Sequence, residues 1–163
     1  MNNIILTGMP GVGKSTIGVV LAKHMGYSFL DSDLVIQEKE GKLLHEIIEE
    51  RGIEGFLGLE DEINASIKAE RTVIATGGSA VYGERAMKHF TSMGTVIYLF
   101  LPYDELEERL GDLNERGVVL KPGQTLRELM EERKVLYEKY GEIVIDCNGK
   151  PIREIVAEIV GKL

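Results

Sequence analysis

The stretch Gly8-Met9-Pro10-Gly11-Val12-Gly13-Lys14-Ser15-Thr16 has the spacing G-x-x-x-x-G-K-S/T. It follows an apolar run and opens a helical pattern, which is the context that gives this spacing meaning. Glycines let the backbone curl until several N–H groups point inward, and a helix N-terminus adds partial positive charge. Gly11, Val12, Gly13, Lys14, Ser15 and Thr16 are therefore candidate nucleotide contacts. Lys14 would reach the outer phosphates of ATP, and the Ser15 hydroxyl would ligate Mg²⁺. An ordinary glycine turn with a cap at Ser15 is the blander alternative, and it leaves the lysine unexplained. A dinucleotide fingerprint would need a small residue at position 16, where Thr16 stands.

A loop of this kind works with a carboxylate near the metal. The apolar runs 71–76 and 95–101 end without an acid, whereas 27–31 ends in Asp31 with Asp33 two residues on and 142–146 ends in Asp146, late in the chain. Asp31 is the candidate metal residue and Asp33 the candidate for orienting an acceptor. Helix capping before Leu34 is the competing reading of both. Two further charges sit where apolar residues belong. Leu126, Leu129, Met130, Tyr137 and Tyr140 form one helical stripe, and Arg133 lies inside it. Phe56, Leu59, Ile63 and Ile67 form another, with Glu60 inside it. An inward charge needs a partner. Spacing leaves two readings open: a structural ion pair, or an arginine that binds a substrate carboxylate with Glu60 positioning it.

Other features carry less chemistry. His45 lacks the second histidine of a zinc helix because Glu49 occupies that place, and His24 and His89 show no ligand spacing. The acidic run 104–109 reads as a solvated helix face, with Arg109 flanking its apolar stripe. Residues 114–123 hold Arg116, Lys121 and two glycines without apolar periodicity, a composition suited to a basic lid closing over nucleotide.

The elements that must position these residues follow from periodicity. Strands are expected at 3–8, 27–33, 71–78, 95–101 and 142–146. Helices are expected at 14–25, at 34–51 with a break near Gly41, and at 54–68, 83–90, 103–113, 125–140 and 152–162. On the first helix Ile17, Val20, Leu21 and Met25 should face inward. Alternation of strand and helix implies a parallel sheet covered on both faces, with ligands at the carboxyl ends of the strands. The chain of 163 residues, 44% apolar and 28% charged, suits one domain. Its formal net charge of −8 argues against a nucleic-acid partner. It has no apolar run long enough for a membrane span and no signal-peptide pattern. Its single cysteine, Cys147, fits a reducing, cytoplasmic setting.

The motifs GMPGVGKSTIG (8–18), FLDSD (29–33), FLGLE (56–60), ATGGS (75–79), YLFLPYDELEERL (98–110) and ERKVLYEKYGEIVID (132–146) together resemble the shikimate kinase family over nearly the whole chain. The resemblance implies a single domain, 1–163, with a three-layer α/β P-loop kinase fold. It would have a five-stranded parallel sheet with helices on both faces, a mobile lid at about 114–123 and an acceptor-binding helical region at about 33–62. It implies transfer of the γ-phosphoryl of ATP to the 3-hydroxyl of shikimate, a step toward chorismate and the aromatic amino acids, and a compact domain of this kind is expected to work as a monomer. Asp31 would hold Mg²⁺ through water, and Asp33 would bind the acceptor hydroxyl and help take its proton. Gly77 and Gly78 would present backbone N–H groups, Arg109 would lie against adenine, Arg116 would close onto the phosphates, and Arg133 would clamp the shikimate carboxylate. Three departures stand out. Leu57 replaces the arginine of F-R-x-x-E, a second carboxylate clamp. Ser79 replaces the third glycine of G-G-G, and Arg116-Gly117-Val118-Val119-Leu120 loosens the lid motif R-P-L-L. Two alternatives follow from them: a related kinase for another small hydroxylated metabolite, or a nucleotide-binding regulatory module without transfer activity.

Overall fold

The computed structural model describes residues 2–111 and 121–163. The expected lid, apart from residues 121–123, lies outside the described residues, and so does Arg116. The elements run β1 (Asn3–Thr7), α1 (Lys14–Met25), β2 (Ser28–Asp31), α2 (Ser32–Glu40), α3 (Leu44–Ala65), β3 (Thr72–Ala75), a 3₁₀ turn (Ala80–Tyr82), α4 (Glu84–Met93), β4 (Gly94–Phe100), α5 (Tyr103–Leu110), α6 (Leu126–Tyr140), β5 (Ile143–Asp146) and α7 (Ile152–Lys162).

The five strands form one parallel sheet in the order β2-β3-β1-β4-β5. Every residue of β1 and of β3 is buried. Because successive side chains point to opposite faces, full burial means that both faces are covered, as the apolar runs required. The fold class read from the alternation of elements is the one observed. Register then places the chemistry. Asp31 pairs with Ala75, and Ala75 with Leu6, so the ends of β2, β3 and β1 lie side by side. A further bond from Thr76 N to Leu6 O (3.1 Å) carries the turn after β3 to the mouth of the loop after β1. The chain reverses its order of addition at β1, and the crevice at such a point is where this class of sheet binds ligands.

The core divides unevenly. A large cluster joins the sheet to α1, α4, α6 and α7, and a small one of Ile36, Ile47, Phe56 and Ile63 holds α2 against α3. Leu57 packs half-buried against this small cluster.

Three expectations need correction. The second strand stops at Asp31, not 33, because the Asp31 side chain accepts the Asp33 N–H (2.9 Å) and starts α2 there. Asp33 therefore sits in the first turn of a helix. The stretch expected at 54–68 ends earlier, at Ala65, where Ser66 caps it, while its separation from the helix ending at 51 holds: within α3 helical geometry breaks at Gly52, whose φ of 76° lies in the left-handed region, so two helical pieces meet there. The expected break near Gly41 is present as the C-cap of α2. Finally, Val20 is 37% exposed, and the inward face of α1 uses Gly18 and Ala22 beside Ile17 and Leu21. The helix lies so close to the sheet that a Cβ at Gly18 would meet the Phe29 ring at 2.7 Å.

Candidate functional site

The loop after β1 curls through Gly11 and Gly13, whose φ angles of 86° and 98° are open to few residues but glycine. Gly13 is also the N-cap of α1, so the helix begins with its N–H groups turned into the loop. Lys14 is buried, and its ammonium donates to the carbonyls of Gly8 (2.6 Å) and Met9 (2.9 Å). Burial lowers its pKa to about 8, with Asp33 opposing the shift, so it remains a cation at neutral pH. Ser15 Oγ donates to Asp31 Oδ2 (2.8 Å). Asp31 thus meets both readings left open above: one carboxylate oxygen caps α2, and the other faces the loop.

This loop forms one wall of a cavity of about 350 Å³. Asp31 and Asp33, Thr76-Gly77-Gly78-Ser79 after β3, Leu44 and Phe56 of α3 and Arg133 of α6 complete the lining. Two glycines pack the opposite wall tightly. A Cβ at Gly77 would stand 2.5 Å from Asp33 Oδ1 and 3.1 Å from Glu60 Oε2, and one at Gly78 would stand 2.9 Å from Arg133 Nη1. A side chain at 77 would displace Asp33 and press on Glu60, and one at 78 would push Pro10 and Arg133 aside. Tyr137 adds a pin, donating its hydroxyl to the Gly78 carbonyl (2.6 Å). Its own ring stacks on Tyr98 at 5.1 Å.

Arg133 is only 1% exposed, and Glu60 2%. Both stripes therefore turn their charges inward. Glu60 does not spend itself on a direct bond to the arginine through Oε2, which is buried without a hydrogen-bond partner. Its Oε1 accepts from Ser79 Oγ (2.7 Å). Arg133 is seated by Tyr82, whose hydroxyl accepts from Nε at 3.4 Å and whose ring lies 5.4 Å from the guanidinium carbon. Tyr82 in turn donates to Glu132, which also receives Lys121 (3.1 Å).

The carboxyls respond to this confinement. Burial, reinforced by the Asp31 charge and opposed by Lys14, raises Asp33 to about 6. Burial raises Glu60 to about 7, with the Ser79 hydrogen bond pulling it back down. An acid poised near neutrality beside a buried ammonium can accept a proton from a hydroxyl that approaches an anion held by the loop. The inward guanidinium can hold an organic anion.

The remaining expected residues fall next door. Val12, Gly13, Thr16 and Arg109 line a second cavity of about 280 Å³ behind the loop, together with Lys150 and Ile155. Arg109 is tied to Glu105 (3.1 Å) and reaches the Gly11 carbonyl (3.4 Å). Lys150, Tyr82 and Ser79 were not singled out as site residues by sequence reasoning. A tyrosine or lysine outside a motif has no signal of its own, whereas Ser79 was visible as a departure from glycine.

Comparison with known proteins adds an independent line. The shikimate kinase family model matches residues 10–163. A shikimate kinase of Persephonella marina is 36% identical, covering 100% of this chain and 99% of its own. The solved shikimate kinase of Acinetobacter baumannii, in complex with shikimate, is similar at a TM-score of 0.87 and 32% identity, over 99% of this chain and 92% of its own. That of Aquifex aeolicus is similar at 0.84 and 33%, over 97% and 94%.

Proposed function

The chain belongs to the shikimate kinase family, and from that premise we propose how its own residues carry out the family's reaction. The reaction is ATP-dependent phosphorylation of an alcohol, with shikimate as acceptor and shikimate 3-phosphate and ADP as products. The observation that carries the reading is the single wall on which Asp33 Oδ1, Glu60 Oε2 and Arg133 Nη1 crowd the Gly77-Gly78 backbone, opposite a buried Lys14.

ATP lies with its phosphates in the loop 8–16, where backbone N–H groups and Lys14 offset their charge. The adenine end extends toward the second cavity and Arg109. Ser15 Oγ and Asp31 Oδ2, 2.8 Å apart at the loop mouth, offer a hydroxyl and a carboxylate. These hard oxygen donors fit Mg²⁺, which keeps most of its ligands as water and phosphate. Mg²⁺ held there would neutralise charge between the phosphates. No cluster of three or more acidic, His or Cys ligands occurs among the described residues, which agrees with an ion shared with a nucleotide rather than caged by protein.

On the other wall Arg133 clamps the shikimate carboxylate. The N–H groups of Gly77 and Gly78 border the ring, and Asp33 receives the hydrogen bond of the reacting hydroxyl. Asp33 aligns that oxygen with the γ-phosphorus and takes its proton as the new P–O bond forms and the bond to the ADP oxygen breaks. Positioning and charge neutralisation supply the acceleration. Arg116, which lies outside the described residues, is the expected further cation for the transferring group. We carry the same reading to a monomer of one domain spanning 1–163, with 33–62 as its acceptor region. A free, buried Cys147 and the use of ATP support a cytoplasmic setting.

Coupled ADP release with ATP, Mg²⁺ and shikimate tests the reading. Saturable turnover at sub-millimolar to millimolar shikimate is expected. Absence of turnover from protein that still binds ATP would remove shikimate as the acceptor and turn attention to other hydroxy acids.

A further inference from the structure

Glu60 presents an unexplained arrangement. It is a carboxyl 2% exposed, and one oxygen has no hydrogen-bond partner. Burying a carboxylate is costly, and the charge of Arg133 offsets part of that cost without a hydrogen bond to this oxygen. Ser79 Oγ, at 2.7 Å, is the group that answers the other oxygen. Nothing in the backbone calls for a small residue at 79: its φ is −92°, ordinary for any side chain. Position 57 lies three residues before 60 on α3, and residues so spaced share one face of a helix. An arginine at 57 would therefore reach Glu60, and here Leu57 packs into the small α2–α3 cluster instead.

We propose that Ser79 is a positioning residue of the acceptor site, whose hydroxyl replaces a cation at position 57 as the group that fixes Glu60 against the Gly77-Gly78 wall. The two departures are then one exchange. With Oε1 tied to Ser79, Oε2 stays over Gly77 beside Asp33 Oδ1. Released, the Glu60 side chain would swing and loosen the wall on which Asp33 and Arg133 rest. The effect falls on acceptor binding, because Ser79 touches neither Lys14 nor the loop carbonyls that hold it. The inference rests on the proposed acceptor reading but is tested separately from it.

The test is a double-mutant cycle between positions 57 and 79, read twice. In kinetics, Ser79→Ala and Ser79→Gly should each raise the shikimate KM about tenfold and lower kcat by a smaller factor, since Asp33 rests on the same wall, with the ATP KM within about twofold. Ser79→Thr, which keeps the hydroxyl, should restore most of the loss. Leu57→Arg should lower the KM about threefold in the wild type but about tenfold in Ser79→Gly, since both groups serve one carboxylate. In urea unfolding without substrate, Leu57→Arg should likewise be more favourable in Ser79→Gly than in the wild type. Wild-type turnover of shikimate reports on the acceptor assignment alone. Additive effects of the two substitutions in unfolding would overturn the exchange whatever the acceptor is. So would a Ser79→Ala enzyme that turns over shikimate with an unchanged KM.

Discussion

The two walls of the cavity are built on opposite principles. The nucleotide wall comes from one continuous stretch, residues 8–16, and works mostly through backbone: left-handed glycines, a helix start and a lysine folded onto its own loop carbonyls. The acceptor wall is assembled from α2, α3, the turn after β3 and α6, and works through side chains whose positions depend on packing. A backbone site tolerates change in its surroundings because its geometry is local. A side-chain site drifts, since each member can be exchanged for a neighbour that reaches the same point. Ser79 lines the second wall, and Leu57 sits on α3 next to Phe56, which also lines it.

The largest effects should come where the two walls meet. Asp33→Asn should lower kcat about 10³-fold while ATP binding stays intact, because the amide keeps the shape but cannot take the proton. Lys14→Ala should cost about 10²- to 10³-fold in kcat and also weaken ATP binding. A Lys14 variant that loses only shikimate affinity would break the division between the walls. Steady-state kinetics with nucleotide-binding calorimetry separates these outcomes.

Glu60 sharpens the comparison through pH. Its folded pKa, about 7, lies above the ordinary 4.5. The native state therefore holds this proton more tightly than the unfolded chain does. Its contribution to stability is present below about 4.5 and is lost as pH rises through 7. The loss amounts to about 3 kcal/mol. Asp33 is raised too, by burial and Asp31, so the informative quantity is the difference from Glu60→Gln. Urea unfolding of the wild type should weaken by that amount relative to Glu60→Gln between pH 4.5 and 7.5. Parallel curves would mean that Glu60 is not confined as described.

Arg133→Met should raise the shikimate KM about ten- to a hundredfold and leave the ATP KM alone. The guanidinium is buried and seated on Tyr82, so loss of Tm must be measured beside KM. A fall in Tm without a change in KM would reduce Arg133 to a packing role.

The same division explains what could be read from sequence. The loop, the parallel sheet and the inward turn of Arg133 and Glu60 are legible because each is a local pattern: a motif, a strand–helix alternation, a helical stripe. The end of β2 is not, since whether Asp33 continues a strand or starts a helix turns on the Asp31 side chain capping its N–H. Nor is the inward face of α1, where Gly18 replaces Val20 because Phe29 approaches from a different strand. The partner of Glu60 is least legible of all. Ser79 is nineteen residues away along the chain, and only folding brings its hydroxyl to the carboxylate.

Leu57→Arg in the wild type carries the smallest expected effect and discriminates most finely. The site as it stands offers one described guanidinium, Arg133, to an acceptor carboxylate. An added charge-assisted bond is worth about 1.5–3 kcal/mol in isolation. An arginine at 57 must leave the apolar contacts that Leu57 makes with the α2–α3 cluster and order a flexible side chain, which offsets much of that gain. It also arrives at a Glu60 that Ser79 already serves. A net threefold fall in shikimate KM, with ATP KM unchanged, is what remains. A fall of a hundredfold would mean that the acceptor wall is merely missing a clamp, with Ser79 contributing nothing in its place. A rise would mean that the side chain at 57 turns away from the cavity and that Phe56, which lines it, is displaced by the larger neighbour.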